Sequence, residues 1–202
     1  MNFSQSQFRD TIFCQKTALV SMIKNISSRP FAWSSIRWVN PLLENRPYSI
    51  KGALEAGHQV DYVRLAEKNI QYCEGCYACT KLGHCFKNDD MNELAQKMKE
   101  AQVIVLASPV YFYSMDGQLK VFIDRMVQNY TEIRADIYIM VTAWDDQTSN
   151  LVSTVEAIRG FSRDCLEECP EKGVIIAGGV EKKGDIRQTG YLKEAYNMGK
   201  NC

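Results

Sequence analysis

At 202 residues the chain is long enough for one domain that buries a core without disulfide staples. Lysine plus arginine equals aspartate plus glutamate at 24 each, and no basic stripe interleaves with aromatics, so a nucleic-acid partner is not expected. No apolar run approaches the ~20 residues that span a bilayer, and no charged, apolar and small-residue leader precedes the eight cysteines, so a cytoplasmic protein with no membrane association is expected.

Taken in chain order, residues 1–15 are polar and aperiodic and read as a tail, leaving 16–202 as the folded domain. Thr17 to Ile23 is apolar and β-branched enough for a buried first strand. Residues 24–49 then lose all period: three prolines, two tryptophans and no glycine leave neither a helix nor a recognisable turn. Such an atypical segment reads either as a divergent insertion or as the product of a shifted reading frame. Order returns at Ile50, where Ile50, Ala53 and Leu54 make a short helical face ended by Gly57 in a left-handed cap. A second strand, Gln59 to Leu65, follows.

Four of the eight cysteines come next, within thirteen residues: Cys73, Cys76, Cys79 and Cys85, separated by two, two and five residues. One short loop can fold such thiolates around a common point. Three cysteines at successive two-residue intervals are the compact run that holds iron-sulfur clusters, whereas zinc sites usually take two close pairs from separate hairpins. Iron-sulfur is favoured, with zinc or metal-free thiols as the alternatives. His84 beside Cys85 reads as a loop residue, and Cys14, Cys165, Cys169 and Cys202 as ordinary thiols.

Beyond the loop, Asp90 followed by Glu93 has capping-box spacing, with Met91, Leu94 and Met98 on one face of the helix it opens. Val103 to Ala107 is a continuous apolar strand of the kind buried on both faces. It runs into Ser108-Pro109-Val110-Tyr111-Phe112-Tyr113-Ser114, expected to be a loop, and then a helix with Leu119, Phe122, Ile123, Met126 and Val127 on one stripe. Ile137 to Thr142 is a fourth strand, 151–169 contains a helix, Gly173 to Ala177 is a fifth strand, and Thr189 caps a closing helix that runs to Gly199.

Alternating strands and helices predict an α/β fold: a flavodoxin-like three-layer sandwich on a five-stranded parallel sheet of order 2-1-3-4-5. Ligands bind such sheets outside the carboxyl ends of the strands, which points to the loops after strands one, three and four. The loop after strand three places Tyr111, Phe112 and Tyr113 there. Rings and backbone amides at that edge suit a flat heteroaromatic ligand such as a flavin. The alternative is that two of the three rings pack under the following helix.

Several stretches carry a resemblance. Cys73-Glu-Gly-Cys-Tyr-Ala-Cys to Cys85, Asp89-Asp90-Met91, Ser108 to Phe112, Gly117-Gln118-Leu119-Lys120 to Asp124-Arg125, and Gly178-Gly179-Val180 to Lys183-Gly184-Asp185-Ile186 resemble the iron-sulfur flavoproteins of the NAD(P)H-dependent FMN reductase family. The likeness runs from about Ile50 to Lys200. It implies FMN bordered by Ser108, Pro109, Val110, Tyr111 and Phe112, and a [4Fe-4S] cluster on Cys73, Cys76, Cys79 and Cys85. It also implies an oxidoreductase that passes electrons between a reduced nicotinamide, NAD(P)H, or ferredoxin and an acceptor. The chemistry would lie in the cofactors, with no catalytic side chain required, and the partners would be small-molecule or protein electron donors and acceptors in a homo-oligomer. The chain departs from the family after strand one. Where relatives carry Gly-Ser-Pro-Arg and Asn-Thr for the FMN phosphate, this chain has Met22-Ile23-Lys24-Asn25, with only Ser27, Ser28 and Arg29 to offer hydroxyls and a cation. A second function follows from that departure: a degenerate flavodoxin-like protein that no longer binds FMN and acts as a metal-binding or interaction module.

Overall fold

The structure, a computed structural model, describes residues 19–24, 48–182 and 184–202. The expected tail, the aperiodic segment apart from Lys24 and its last two residues, and the candidate phosphate residues Ser27, Ser28 and Arg29 lie outside the described residues. Six strands form one sheet: β1 (Leu19–Lys24), β2 (Gln59–Arg64), β3 (Val103–Tyr111), β4 (Ser114–Met115), β5 (Asp136–Thr142) and β6 (Glu171–Ala177). Their order is β2-β1-β3-β5-β6, with the two-residue β4 paired to the end of β3. The helices are α1 (Tyr48–Glu55), α2 (Cys79–Leu82), α3 (Met91–Glu100), α4 (Gly117–Arg125), α5 (Val152–Ser162) and α6 (Tyr191–Lys200).

The layers follow from the apolar pattern. On β3, Ile104 and Leu106 face one side with Ile137, Ile139 and Val141 of β5, where Leu94, Met98, Phe122 and Ile158 from α3, α4 and α5 close over them. Val103 and Val105 face the other side with Tyr138, against Ala53 of α1 and Met198 of α6. Both faces of the central strands are therefore covered, as a continuous apolar run requires. On the second face α1 and α6 cross at two glycines: a Cβ on Gly199 would stand 1.8 Å from the Ser49 carbonyl oxygen, and one on Gly52 would stand 2.1 Å from that of Tyr196. Only glycine permits that approach.

Strand direction corrects the sequence expectation. β3, β5 and β6 are parallel, but β1 runs antiparallel to both β2 and β3. The sheet is mixed, not wholly parallel. Alternation of strands and helices constrains which elements lie in the sheet; a six-residue strand satisfies its backbone groups in either direction. One consequence reaches the ligand edge. Lys24 pairs with Gln59, while Leu19 pairs with Arg64 and Ala107, so the carboxyl end of β1 lies at the amino ends of its neighbours. The expectation that the segment after strand one joins the loops after β3 and β5 does not hold for this direction of β1.

Capping differs as well. The Asp90 side chain makes no cap; its Oδ2 accepts from the Asn69 N–H at 2.8 Å, and Glu93 pairs with Lys97 instead of closing a box. The carboxylate that serves the first turn is Asp89, whose Oδ1 accepts from the Met91 N–H at 3.1 Å. Gly57 takes the left-handed conformation expected of it, with φ 89°. Thr189 Oγ1 accepts from Tyr191, the first residue of α6. No helix among the described residues is long and apolar enough to cross a membrane.

Candidate functional site

Two groups of candidate site residues stand at either end of α4. The first is the cysteine loop. Between the short turn after β2 and α3, the chain from Lys68 to Asp90 has little regular structure apart from the single turn of α2, so side chains must hold it. Asp89 and Arg125 do most of this. Arg125 Nη1 lies 2.6 Å from Asp89 Oδ2, Nη2 lies 3.1 Å from Oδ1, and both side chains are excluded from solvent. Nη1 also donates to the Gln71 carbonyl at 2.8 Å, while the Gln71 N–H donates to Asp89 Oδ2 at 3.0 Å. The entry to the loop is thus stitched to α4 by a fork that only a guanidinium and a carboxylate supply.

The exit is held separately. The Cys85 N–H is shared between Gln128 Oε1 at 2.9 Å and Asn92 Oδ1 at 3.2 Å, and Asn92 Nδ2 donates back to the Cys85 carbonyl at 2.9 Å. Between these clamps the backbone turns through left-handed conformations at Gly75, Tyr77 and Gly83. The loop so formed surrounds a cavity of about 320 Å³ lined by Cys73, Cys76, Cys79 and Cys85, with Arg125 and Gln128 on its α4 side. Among the described residues no three His, Cys, Asp or Glu side chains stand close enough to share one metal ion. The expectation that the thiolates fold around a common point is refined accordingly: they line one cavity without converging. Four thiols lining one cavity are a donor type that both iron-sulfur clusters and zinc take.

In the absence of a metal, the surroundings of Cys79 favour its neutral thiol. Burial pushes the Cys79 thiol up, and the neighbouring Cys85, Cys73 and Cys76 push it further the same way. Four adjacent thiolates repel one another, so loading a metal must displace their protons. Asp89 shows the opposite balance. Burial disfavours its charge, but the Arg125 fork and the Gln71 and Met91 N–H groups hold the carboxyl below its ordinary range. Burial pulls Arg125 down, and Asp89 together with Cys85 more than offsets it. The buried Arg125 Nε meets no acceptor at full hydrogen-bond geometry, while the Cys85 side chain interacts with the same guanidinium.

The second group lies at the carboxyl ends of β3 and β5. Here the structure differs from an irregular loop. Tyr111 pairs with Ser114 and Val110 with Met115, so Tyr111-Phe112-Tyr113-Ser114 is a two-residue hairpin turn. Phe112 and Tyr113 both have positive φ, 49° and 57°, as a type I′ turn demands. That turn is normally Asn-Gly. Two aromatic residues there store strain of roughly 1–2 kcal/mol each, a feature that concentrates at functional sites.

The five residues expected to border a flavin divide. Ser108 is buried, its Oγ donating to the Pro109 carbonyl at 2.7 Å and accepting from the Asp116 N–H at 2.9 Å. Asp116 Oδ1 in turn accepts from the Leu119 N–H and caps α4. Ser108 and Pro109 therefore fix the start of α4, and Val110 packs on the core. Tyr111 is half-exposed and Phe112 fully exposed, with Tyr113 beside them. The rings do not pack under the helix.

Residues not anticipated join them. Trp144 is exposed just past β5, Tyr113 Oη reaches Asp145 at 3.4 Å, and Ser153 Oγ donates to the Tyr113 carbonyl at 2.7 Å. Gly178 and Gly179 come close beneath: the Gly179 N–H donates to the Asp145 carbonyl at 3.1 Å, and a Cβ on Gly178 would meet that oxygen at 2.7 Å. An exposed tryptophan directly after a buried strand was the available signal for this half of the edge. A shelf of exposed rings backed by fixed main chain suits the flat part of a flavin.

Comparison with known proteins matches these observations. Residues 37–159 fit the family model of the NADPH-dependent FMN reductases, a match that starts inside the aperiodic segment. An iron-sulfur flavoprotein of Methanocaldococcus jannaschii is 40% identical over 164 residues, which cover 75% of this chain and 83% of that protein. Two iron-sulfur flavoproteins of Archaeoglobus fulgidus are 40% and 41% identical, but the match spans only 36% and 34% of their lengths. Among solved structures, an NAD(P)H:quinone oxidoreductase from Methanothermobacter marburgensis superposes with a TM-score of 0.55 at 18% identity, over 79% of this chain and 87% of that one. A flavone reductase reaches 0.57 at 16% identity, over 76% and 54%. These two likenesses establish the flavodoxin-like α/β fold. The family match and the long alignment to the M. jannaschii protein go further: this chain belongs to the NADPH-dependent FMN reductase family, among its iron-sulfur flavoproteins.

Proposed function

We propose that the protein is an FMN-dependent oxidoreductase carrying a [4Fe-4S] cluster, which passes electrons between a reduced nicotinamide or ferredoxin and an acceptor. The observation that carries this reading is the cavity lined by Cys73, Cys76, Cys79 and Cys85 in a chain of the FMN reductase family. When bound, FMN exchanges two electrons with a nicotinamide and one at a time with a cluster, which supplies the redox chemistry the side chains lack. Tyr111, Phe112, Tyr113 and Trp144 would offer exposed ring surface to its isoalloxazine, and the Asp145–Gly179 contact fixes the main chain beside them. The four cysteines give up their protons to hold the iron, and α4, roughly 13 Å long by its nine residues, stands between the two groups. A cytoplasmic setting keeps the thiols reduced, and the donor and acceptor are small molecules or redox proteins. The reading as a module that has lost FMN finds no support in the family match.

Visible absorbance of anaerobically purified protein tests this first, since flavin and iron-sulfur bands are distinct and zinc is colourless. Cys76→Ser should abolish iron and acid-labile sulfide while the unfolding midpoint stays near wild type, because Cys76 is exposed in the loop. Protein that holds no iron, or a variant that holds as much as wild type, sinks the cluster. Tyr111→Ala with Phe112→Ala should weaken FMN binding at least tenfold, for the loss of stacking area worth about 1.4 kcal/mol or more. An unchanged FMN titration would move the flavin elsewhere.

A further inference from the structure

Among the described residues Arg125 holds the only guanidinium lining the cysteine cavity, and its donors are unevenly spent. Nη1 and Nη2 serve Asp89 and the Gln71 carbonyl, while Nε, equally buried, meets no acceptor at full hydrogen-bond geometry. Arg125 is part of the cavity lining, and Asp89 stands behind it, outside the lining. The pair is therefore a buried dipole with its positive end toward the four sulfurs. We propose that Arg125 is a positioning residue that sets the reduction potential of the cysteine-bound cluster, through its cationic face and its Nε–H, with Asp89 as the counter-charge that limits the effect. This rests on the cluster reading given above.

A cluster on four thiolates is anionic, and one-electron reduction makes it more so. A cation or an N–H beside its sulfurs favours the reduced form more than the oxidised one and raises the potential. Exclusion of water from both Arg125 and Asp89 keeps this influence from being screened. The two partners must then act in opposite directions. Neutralising Arg125 removes the favourable charge and lowers the potential; neutralising Asp89 unmasks the arginine and raises it. A pair that merely staples the loop would lose stability in either variant without such opposed shifts.

The test is a potentiometric titration of wild-type protein, Arg125→Gln, Asp89→Asn and Arg125→Lys, each loaded anaerobically with iron and sulfide. Cluster absorbance and the paramagnetic signal of the reduced cluster give the midpoint, and thermal unfolding is read in parallel. The expected result is a more negative midpoint for Arg125→Gln, a more positive one for Asp89→Asn, and an intermediate value for Arg125→Lys, which keeps the charge but not the Nε donor. Should Arg125→Gln fail to fold, the double variant Asp89→Asn with Arg125→Gln restores a neutral amide pair. Its midpoint is expected to fall below that of Asp89→Asn alone. Midpoints that stay at the wild-type value, or that move the same way in both single variants, overturn the proposal while leaving the cluster in place. Wild-type protein that takes up no iron overturns the cluster reading itself, and this inference with it.

Discussion

The cysteine loop and the Tyr111–Ser114 turn are both held firmly, by opposite means. The loop has almost no backbone ladder; its shape comes from Asp89, Arg125, Asn92 and Gln128, side chains that reach in from α3, α4 and their flanks. The turn is regular hairpin backbone, and its side chains face outward, with Phe112 wholly exposed and both central residues strained. Polar anchoring keeps the four thiols around one cavity without tying them into a backbone ladder. Backbone anchoring suits a ledge whose rings must stay uncovered. The two regions should therefore fail differently, one through loss of a buried partner and the other hardly at all.

The largest effect should come from Asp89→Ala. It strands the Arg125 guanidinium in a dry site and frees the Gln71 and Met91 N–H groups, so unfolding free energy should fall by about 3–5 kcal/mol. Urea unfolding followed by circular dichroism measures it; a loss under about 1 kcal/mol would mean that the loop is held by something other than this pair. A change of opposite sign is expected from the turn. Phe112→Asn with Tyr113→Gly installs the residues a type I′ hairpin prefers and should raise stability by about 1–3 kcal/mol while weakening FMN binding. Stability gained with no cost in FMN affinity would break the assignment of the strained rings to the flavin.

The comparison also shows what sequence could disclose. Strands and helices from Ile50 onward were legible because β3 and β5 are apolar on both faces and α4 carries its stripe at Leu119, Phe122 and Met126. The cysteine spacing pointed by itself to four thiols on one short loop, and they line a single cavity. The Arg125–Asp89 pair was hidden, since partners 36 residues apart show no periodicity, and in the sequence each looks like a surface charge. The two-residue turn was hidden for the opposite reason: Phe-Tyr contradicts every turn preference, because the backbone there tolerates strain. The direction of β1 could not be seen either, as Leu19 to Lys24 offers the same pairing groups both ways. Ser108 is placed beside FMN by the family resemblance alone, and nothing in the sequence shows that its hydroxyl accepts from the Asp116 N–H.

The smallest effect is a dependence on pH, and it sharpens the contrast because the residues of the turn itself carry no carboxylate. The Asp89 carboxyl is held below its ordinary range in the folded protein, against about 3.9 in an unfolded chain. A depressed carboxylate contributes stability that is fully present above the unfolded value and is lost as pH falls through the folded one. Above about pH 5 the difference in unfolding free energy between wild type and Asp89→Asn should therefore be constant. Below about pH 4 it should narrow, because protonation of Asp89 removes in wild type the charge that the variant already lacks. Taking the difference cancels the other carboxylates, which titrate alike in both proteins, provided that they lie far from Asp89 and add independently. A gap that widens on acidification, or that keeps its full size down to pH 2, would show that Asp89 is not ionised against Arg125, and the polar anchoring of the cysteine loop would need another source.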